Sequence, residues 1–117
     1  MSVNYEPKHL SASTKGKAIL LDFSSNFTTI HTAPSGTNVY DEVYLNLYYF
    51  GTSATGIAEV RLDSLQPGEV MQFHVVSGTV TPILRGHRIS DGASIYIRNA
   101  TGGTMLCFGT VNRITII

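Results

Sequence analysis

The chain has 117 residues, eight Lys and Arg against eight Asp and Glu, one Cys and 43% hydrophobic residues, which leaves room for one domain with a modest core. A formal net charge of zero argues against a nucleic-acid-binding protein, which needs a basic face. No apolar run has signal-peptide length or approaches the ~20 residues that cross a bilayer, so we expect a protein made in the cytoplasm without membrane contact.

The first seventeen residues differ in composition from the rest. They hold all three lysines, Lys8, Lys15 and Lys17, together with Pro7 and little periodicity. We therefore expect an extended N-terminal arm over 1–17 and one domain over 18–117. Because soluble β domains often place Lys on exposed sheet edges, we expect this Lys-free domain to have its edges covered by neighbouring subunits or by its own arm. Protection of the edges by its five arginines, by bulges or by prolines is the alternative.

Beyond residue 17, Gly and Pro separate short segments rich in Val, Ile, Thr, Tyr and Phe, a composition typical of strands. The turns between them have suitable chemistry, as in Pro34-Ser35-Gly36, Gln66-Pro67-Gly68 and Gly102-Gly103. The spacing predicts an all-β fold, an antiparallel, jelly-roll-like β-sandwich of about eight strands. The candidate strands are Ala18–Phe23, Phe27–Thr32, Val39–Phe50, Ile57–Leu62, Val70–Val75, Val80–Leu84, Ala93–Arg98 and Met105–Val111.

The segment 39–50 admits two interpretations. Its tyrosines, Tyr40, Tyr44 and Tyr48, recur at helical i, i+4 spacing behind a possible cap at Asn38. Its aromatic and β-branched content favours a strand, with Asp41 on the same face as the apolar odd-numbered residues.

Groups that carry out chemistry are scattered along the chain. The four histidines lie in no nucleophile or metal-ligand motif, and Cys107 lies in an apolar stretch that favours an inert, buried thiol. Asp41 and Glu42 face opposite sides of a strand, so they cannot act together on one bond. We predict no catalytic, cofactor-binding or metal-ligating residue; a small hydrolase remains the least favoured alternative. The histidines are His9, His31, His74 and His87.

The tyrosines of segment 39–50 are the strongest candidates for an interaction surface. Rings in this arrangement suit a platform on which sugars or bases stack, or they line a subunit interface or cover the core. We predict a subunit interface and name six interface candidates, keeping a carbohydrate-binding module as the alternative. The candidates are Lys8, Lys15, Lys17, Tyr40, Tyr44 and Tyr48.

A family resemblance adds a functional expectation. The segment Thr32-Ala33-Pro34-Ser35-Gly36-Thr37 before the long strand, the turn at 65–69 and the ending from Ile95 to Ile114 resemble small β-sandwich virion proteins of tailed bacteriophages. In those proteins a "T-x-P-x-G-T" segment leads into a long strand; their "G-D-x-I"-like turn appears here in altered order at 89–95. The resemblance covers roughly residues 27–114.

The resemblance implies a structural component of the virion without catalytic residues. The implied role is a capsid decoration (cement) protein that binds between capsomers as a homotrimer, with the major capsid protein or other virion proteins as partners. A tail, neck or fibre subunit is the close alternative. Repeated weak contacts of this kind become strong through closed oligomers and multivalency.

Overall fold

The computed structural model describes residues 2–23, 25–63 and 70–117. The described residues form nine strands, one more than the sequence predicts, and no helix long and apolar enough to cross a membrane. The strands are β1 (Val3–Lys8), β2 (Ile19–Leu20), β3 (Thr28–Thr32), β4 (Val39–Phe50), β5 (Thr55–Leu62), β6 (Met71–Val76), β7 (Thr79–Ile89), β8 (Ser94–Asn99) and β9 (Thr104–Ile116).

The strands form two antiparallel sheets. The five-stranded sheet has the order β1-β9-β4-β7, with β2 also paired to β9, and the four-stranded sheet has the order β3-β8-β5-β6. The pairs β1–β9, β3–β8, β4–β7 and β5–β6 nest inside one another along the chain, which is the winding of a jelly roll. The predicted antiparallel β-sandwich is confirmed.

The core lies between the sheets, and β4 is its longest contributor. Strand β4 spans the predicted range, so the helical interpretation of its tyrosines is wrong: the odd-numbered residues Val43, Leu45 and Leu47 are fully buried while the even-numbered residues line the other face. Period-two alternation of this kind places a strand's apolar side chains on one face. Ile95 and Ile97 supply buried side chains from the opposite sheet.

The N-terminal segment packs onto the sandwich. Strand β1 lies at an edge, paired with β9 over its whole length, although its side chains remain largely exposed. After β1 the chain crosses towards the other sheet, where Leu10 joins the core and Ala12 donates a backbone hydrogen bond to Ile30 of β3. The described part of the predicted arm, residues 2–17, therefore contributes an edge strand and a core residue.

One predicted turn lies outside the described residues, and one predicted strand is much shorter than expected. The turn at 65–69, which contributes to the family resemblance, lies outside the described residues. The candidate strand 18–23 is reduced to the two residues of β2, while Leu21 is buried and Phe23 bridges to Asn99.

Candidate assembly surface

A buried polar network brings ionisable side chains of three strands together. Over residues 2–23, 25–63 and 70–117, no group of three or more His, Cys, Asp and Glu side chains is placed to hold a metal ion. The network joins His31 of β3, Asp41 of β4 and Arg113 of β9. Asp41 and His31 are 0% and 1% exposed.

The hydrogen bonds of this network define its protonation. Nδ1 of His31 accepts the backbone N–H of Ser11 at 3.0 Å, so Nε2 carries the proton and donates it to Oδ2 of Asp41 at 2.6 Å. Arg113 donates to both carboxylate oxygens, at 2.9 and 3.2 Å. Burial opposes the ionisation of Asp41, but the hydrogen bonds from Arg113 and His31 outweigh it and lower the pKa of Asp41.

The network is placed to hold the fold together. His31 comes from one sheet, Asp41 and Arg113 come from the other, and Ser11 ties the N-terminal segment to the same ring. Both ring nitrogens of His31 are occupied, one by a backbone N–H and one by a carboxylate, so neither is free to accept a proton from a hydroxyl nucleophile. The carboxylate likewise has both oxygens engaged.

The outer face of the five-stranded sheet has a different character. Tyr40, Tyr44 and Tyr48 follow one another along β4 on the side away from the core, and Tyr44 is 40% exposed. Tyr44 lies over the neighbouring strand β7: a Cβ atom added at Gly86 would lie 3.2 Å from the Tyr44 hydroxyl. The absence of a side chain at Gly86 leaves room for this ring.

Register extends the apolar character across neighbouring strands. Tyr48 lies opposite Leu106 of β9 and Val80 of β7, and Leu106 in turn lies opposite Leu20 of β2; directly opposed residues share a face. We name the resulting set the tyrosine face. It comprises Tyr40, Tyr44, Tyr48 and Phe50 of β4, Leu106 and Phe108 of β9, Val80 of β7, Leu20 of β2, and Val3 and Tyr5 of β1.

Polar side chains such as Glu42 lie among the tyrosines on this face without covering it. The guanidinium of Arg88 lies 4.2 Å from the centre of the Tyr40 ring and 3.8 Å from a carboxylate oxygen of Glu42. Several apolar side chains nevertheless remain in solvent, with Tyr5 63% and Phe50 61% exposed. Contiguous exposed apolar surface of this kind marks interaction sites in soluble proteins.

The six predicted interface residues fall into two groups. The three tyrosines share the tyrosine face, whereas Lys8 lies on β1 opposite the core-facing Val111 and pairs with Glu6 at 2.7 Å. Lys15 and Lys17 are exposed and lie after Ala12, which is hydrogen-bonded to β3 of the four-stranded sheet. The structure therefore does not combine lysines and tyrosines into one site.

Comparisons with known proteins bear on the fold. No family model matches the chain, and no curated protein matches it significantly. Among solved structures, a protein of the Bacillus endospore appendages, described as disulfide-linked pili, is similar at a TM-score of 0.54 and 10% identity over 99% of this chain and 90% of its own. The Eiger TNF of S. frugiperda is similar at a TM-score of 0.51 and 13% identity over 97% and 93%.

At these identities the likeness concerns the fold alone. The endospore appendages are described as disulfide-linked. In this chain the single cysteine, Cys107, is buried between the sheets. Burial raises the pKa of its thiol to about 12, which disfavours the reactive thiolate.

Proposed function

We propose that this protein is a non-enzymatic structural subunit of a tailed-bacteriophage virion: a capsid decoration protein that binds between capsomers as a homotrimer. The observation that carries the proposal is the tyrosine face. A folded protein that leaves Tyr44, Phe50 and Val80 in solvent on one sheet gains free energy when a partner removes them from water, at about 25 cal/mol per Å² of apolar surface.

A second copy of the chain and the capsid are both suitable partners for this face. Tyrosine-rich surfaces provide large, rigid contact area with few rotatable bonds and are enriched at protein interfaces. The zero formal net charge leaves little electrostatic repulsion between copies. The turn Pro34-Ser35-Gly36, which carries part of the phage resemblance, leads from β3 into β4, the strand that bears the three tyrosines.

The exposed lysines supply a second contact in this proposal. Lys15 and Lys17 form no ion pair within the described residues, and they project from a turn in which Lys15 has a φ of 54° and Gly16 a φ of 77°. A positive turn held on the sandwich suits an acidic patch on a neighbouring capsid subunit.

The test uses purified protein and heads that lack their decoration protein. We expect saturable binding in hundreds of copies per head, and loss of that binding in Tyr44→Glu, which places a carboxylate in the tyrosine face. Thr29→Glu is the matched control because it adds the same charge on the outer side of the four-stranded sheet, opposite Tyr96. Tyr44→Ser provides a milder variant if Tyr44→Glu does not fold.

Four results would count against the proposal in different ways. If the wild type shows no saturable binding to heads, the capsid role is wrong. If a virion contains only tens of copies, the protein belongs to the tail, neck or fibre. Glycan binding that is lost in Tyr44→Ala and Tyr48→Ala favours the carbohydrate-binding alternative. A trimer in solution, or a closed assembly of trimers, supports the proposed stoichiometry, whereas a closed oligomer not built from trimers replaces it.

A further inference from the structure

The two sheets have four outer edges, and three of them carry features that hinder pairing with another strand. Strand β1 contains Pro7 and the Glu6–Lys8 ion pair, and β2, which pairs with the same strand β9, has only two residues. Strand β7 contains Pro82 and two shifts of register against β4. Proline, charge and bulges are the devices by which natural sheets avoid edge-to-edge association.

The edge of β3 is closed by the chain itself. Ala12 donates its backbone N–H to the carbonyl of Ile30 at 3.1 Å, and the N–H of Thr32 is bonded to Oγ of Ser11 at 2.9 Å. A register shift between Thr29 and His31 interrupts the strand as well. Residues 11 and 12 therefore occupy the place where a further strand would pair.

Strand β6 is the exception. Among the described residues it pairs only with β5, in an unbroken register from Met71 to Val76. It contains no Pro, Gly, Lys, Arg, Asp or Glu. The Val76 carbonyl accepts a hydrogen bond from the Thr79 hydroxyl at 2.8 Å. Along the rest of the strand the free side offers backbone donors and acceptors with none of the features that protect the other three edges.

The side chains of β6 also leave apolar surface uncovered. Met71 and Phe73 point to the same side as the fully buried Val75, yet both remain only partly buried against the core. They are partly exposed because the four-stranded sheet ends at this strand. A further strand at the edge would complete their burial as well as satisfy the backbone.

We propose that β6 is a self-association site at which two copies of this chain pair their β6 strands antiparallel, joining two four-stranded sheets into one of eight strands. An uncharged strand meets no like-charge repulsion from its own copy. The arrangement is an isologous two-fold contact, in which the same strand is used by both subunits.

The pleat of the sheet restricts the register. Directly opposed residues share a face, so Phe73 and Val75 must oppose core-facing residues of the second copy. The two-fold axis then passes through a residue and not between two residues. The registers centred on the strand place the axis either at His74, so that it meets its own copy, or at Phe73, so that Gln72 meets His74.

The decisive measurement is the mass in solution of a protein whose tyrosine face has been disabled. We expect Tyr44→Glu to be a dimer by light scattering, Tyr44→Glu/His74→Lys to be a monomer, and Tyr44→Glu/Thr29→Lys to stay dimeric. His74 is exposed and directed away from the core, so lysine there disturbs the edge and not the packing; Thr29 is the matched position on the closed edge. Identical melting temperatures for the two double variants, measured at a concentration where both are monomeric, show that both fold.

Cross-linking identifies the register. If the axis lies at His74, the His74→Cys variant alone forms an inter-subunit disulfide. If the axis lies at Phe73, a disulfide forms only in an equal mixture of the Gln72→Cys and His74→Cys variants. The native Cys107 does not interfere because it is buried. A monomeric Tyr44→Glu at all concentrations, or a dimer that His74→Lys leaves intact, overturns the proposal. Neither result affects the capsid role, which depends on the tyrosine face and is tested with heads.

Discussion

The two faces of β4 carry alternate residues of one strand but serve different purposes. From Asp41 to Tyr49 the odd-numbered residues are buried between the sheets, and the even-numbered residues from Tyr40 to Phe50 line the tyrosine face. Both faces are rich in large apolar side chains, yet the only buried charge of the strand lies on the inner one. Hydrophobicity alone therefore does not distinguish the face that makes the fold from the face that we propose binds a partner.

The outer face of the other sheet sharpens this contrast. There Arg98 is paired with Glu59, and the guanidinium of Arg61 lies 4.3 Å from the centre of the Tyr96 ring. Those aromatic and charged groups contact each other. On the tyrosine face only Tyr40 has such a cationic neighbour among the described residues, which is why we assign the unmatched apolar surface to a partner.

The largest expected effect is loss of the buried charge on the inner face. Asp41→Ala leaves Arg113 and His31 without their shared partner, and breaking a buried ion pair in this way costs about 3–5 kcal/mol. Because domains of this size are stable by about 5–15 kcal/mol, chemical denaturation should show a large loss in the free energy of unfolding.

The adjacent residue provides the control for that experiment. Glu42 lies on the outer face, and its contact with Arg88 is long, at 3.8 Å, and mostly exposed on the arginine side. We expect Glu42→Ala to change stability by less than about 1 kcal/mol. Equal losses in Asp41→Ala and Glu42→Ala would mean that the two faces do not differ in the way proposed.

Acid should lower the free energy of unfolding by less than Asp41→Ala does. Protonation removes the charge of Asp41 but leaves its carboxyl group in place to form hydrogen bonds. The pKa of Asp41 is lowered in the folded protein from a usual value of 3.8. The stability that its ionisation contributes is therefore fully present above pH 3.8 and is lost as the pH falls through the lower, folded-state pKa. Denaturation curves between pH 5 and pH 2, in steps of about half a unit, should show this loss in the wild type.

The acid dependence has its own control variant. Asp41→Asn retains the shape of the side chain but does not titrate, so its stability should fall less steeply over the same pH range. A wild type and an Asp41→Asn variant with parallel pH profiles would show that other carboxylates govern acid unfolding.

On the outer face we expect effects on association more than on stability. If copies associate through the tyrosine face, the melting temperature of the wild type rises with protein concentration, by about 3–6 °C per tenfold increase for a trimer of this chain length. Tyr44→Glu should weaken that dependence, and Thr29→Glu should retain it. A wild type that melts at one temperature at all concentrations would argue against association through this face.

Much of the fold was predictable because its signal is local. The segment 39–50 alternates strongly enough that the predicted and observed strands coincide at Val39–Phe50. Which strands pair with each other was harder to predict from the sequence. The turns at Pro34-Ser35-Gly36 and Gly102-Gly103 each lead the chain from one sheet to the other. Turn chemistry specifies that the chain reverses, but not which strand lies beside it. Strand β1 gave no signal because it is exposed on both faces.

The candidate surface was predictable only along β4. The three tyrosines are close in sequence, whereas Leu106, Phe108 and Leu20 join them through the register of other strands. The buried network was missed for the same reason, because Arg113 lies 72 residues from Asp41. The one available signal was a lone carboxylate on an apolar face, which requires a partner when it is buried.

The smallest effect concerns the single thiol on the inner side of β9. Burial raises the pKa of Cys107 to about 12, and Cys107 lies opposite the fully buried Leu47 of β4. We expect no reaction with a thiol reagent at pH 8 in the folded protein and complete reaction in denaturant, while Phe50→Cys, on the exposed side of the same sheet, should react when folded. Because labelling requires opening of the sheet, rapid reaction of native Cys107 would show that β4 and β9 separate far below the free energy of global unfolding. The inner face would then be only transiently protected from solvent, and this difference from the tyrosine face would be lost.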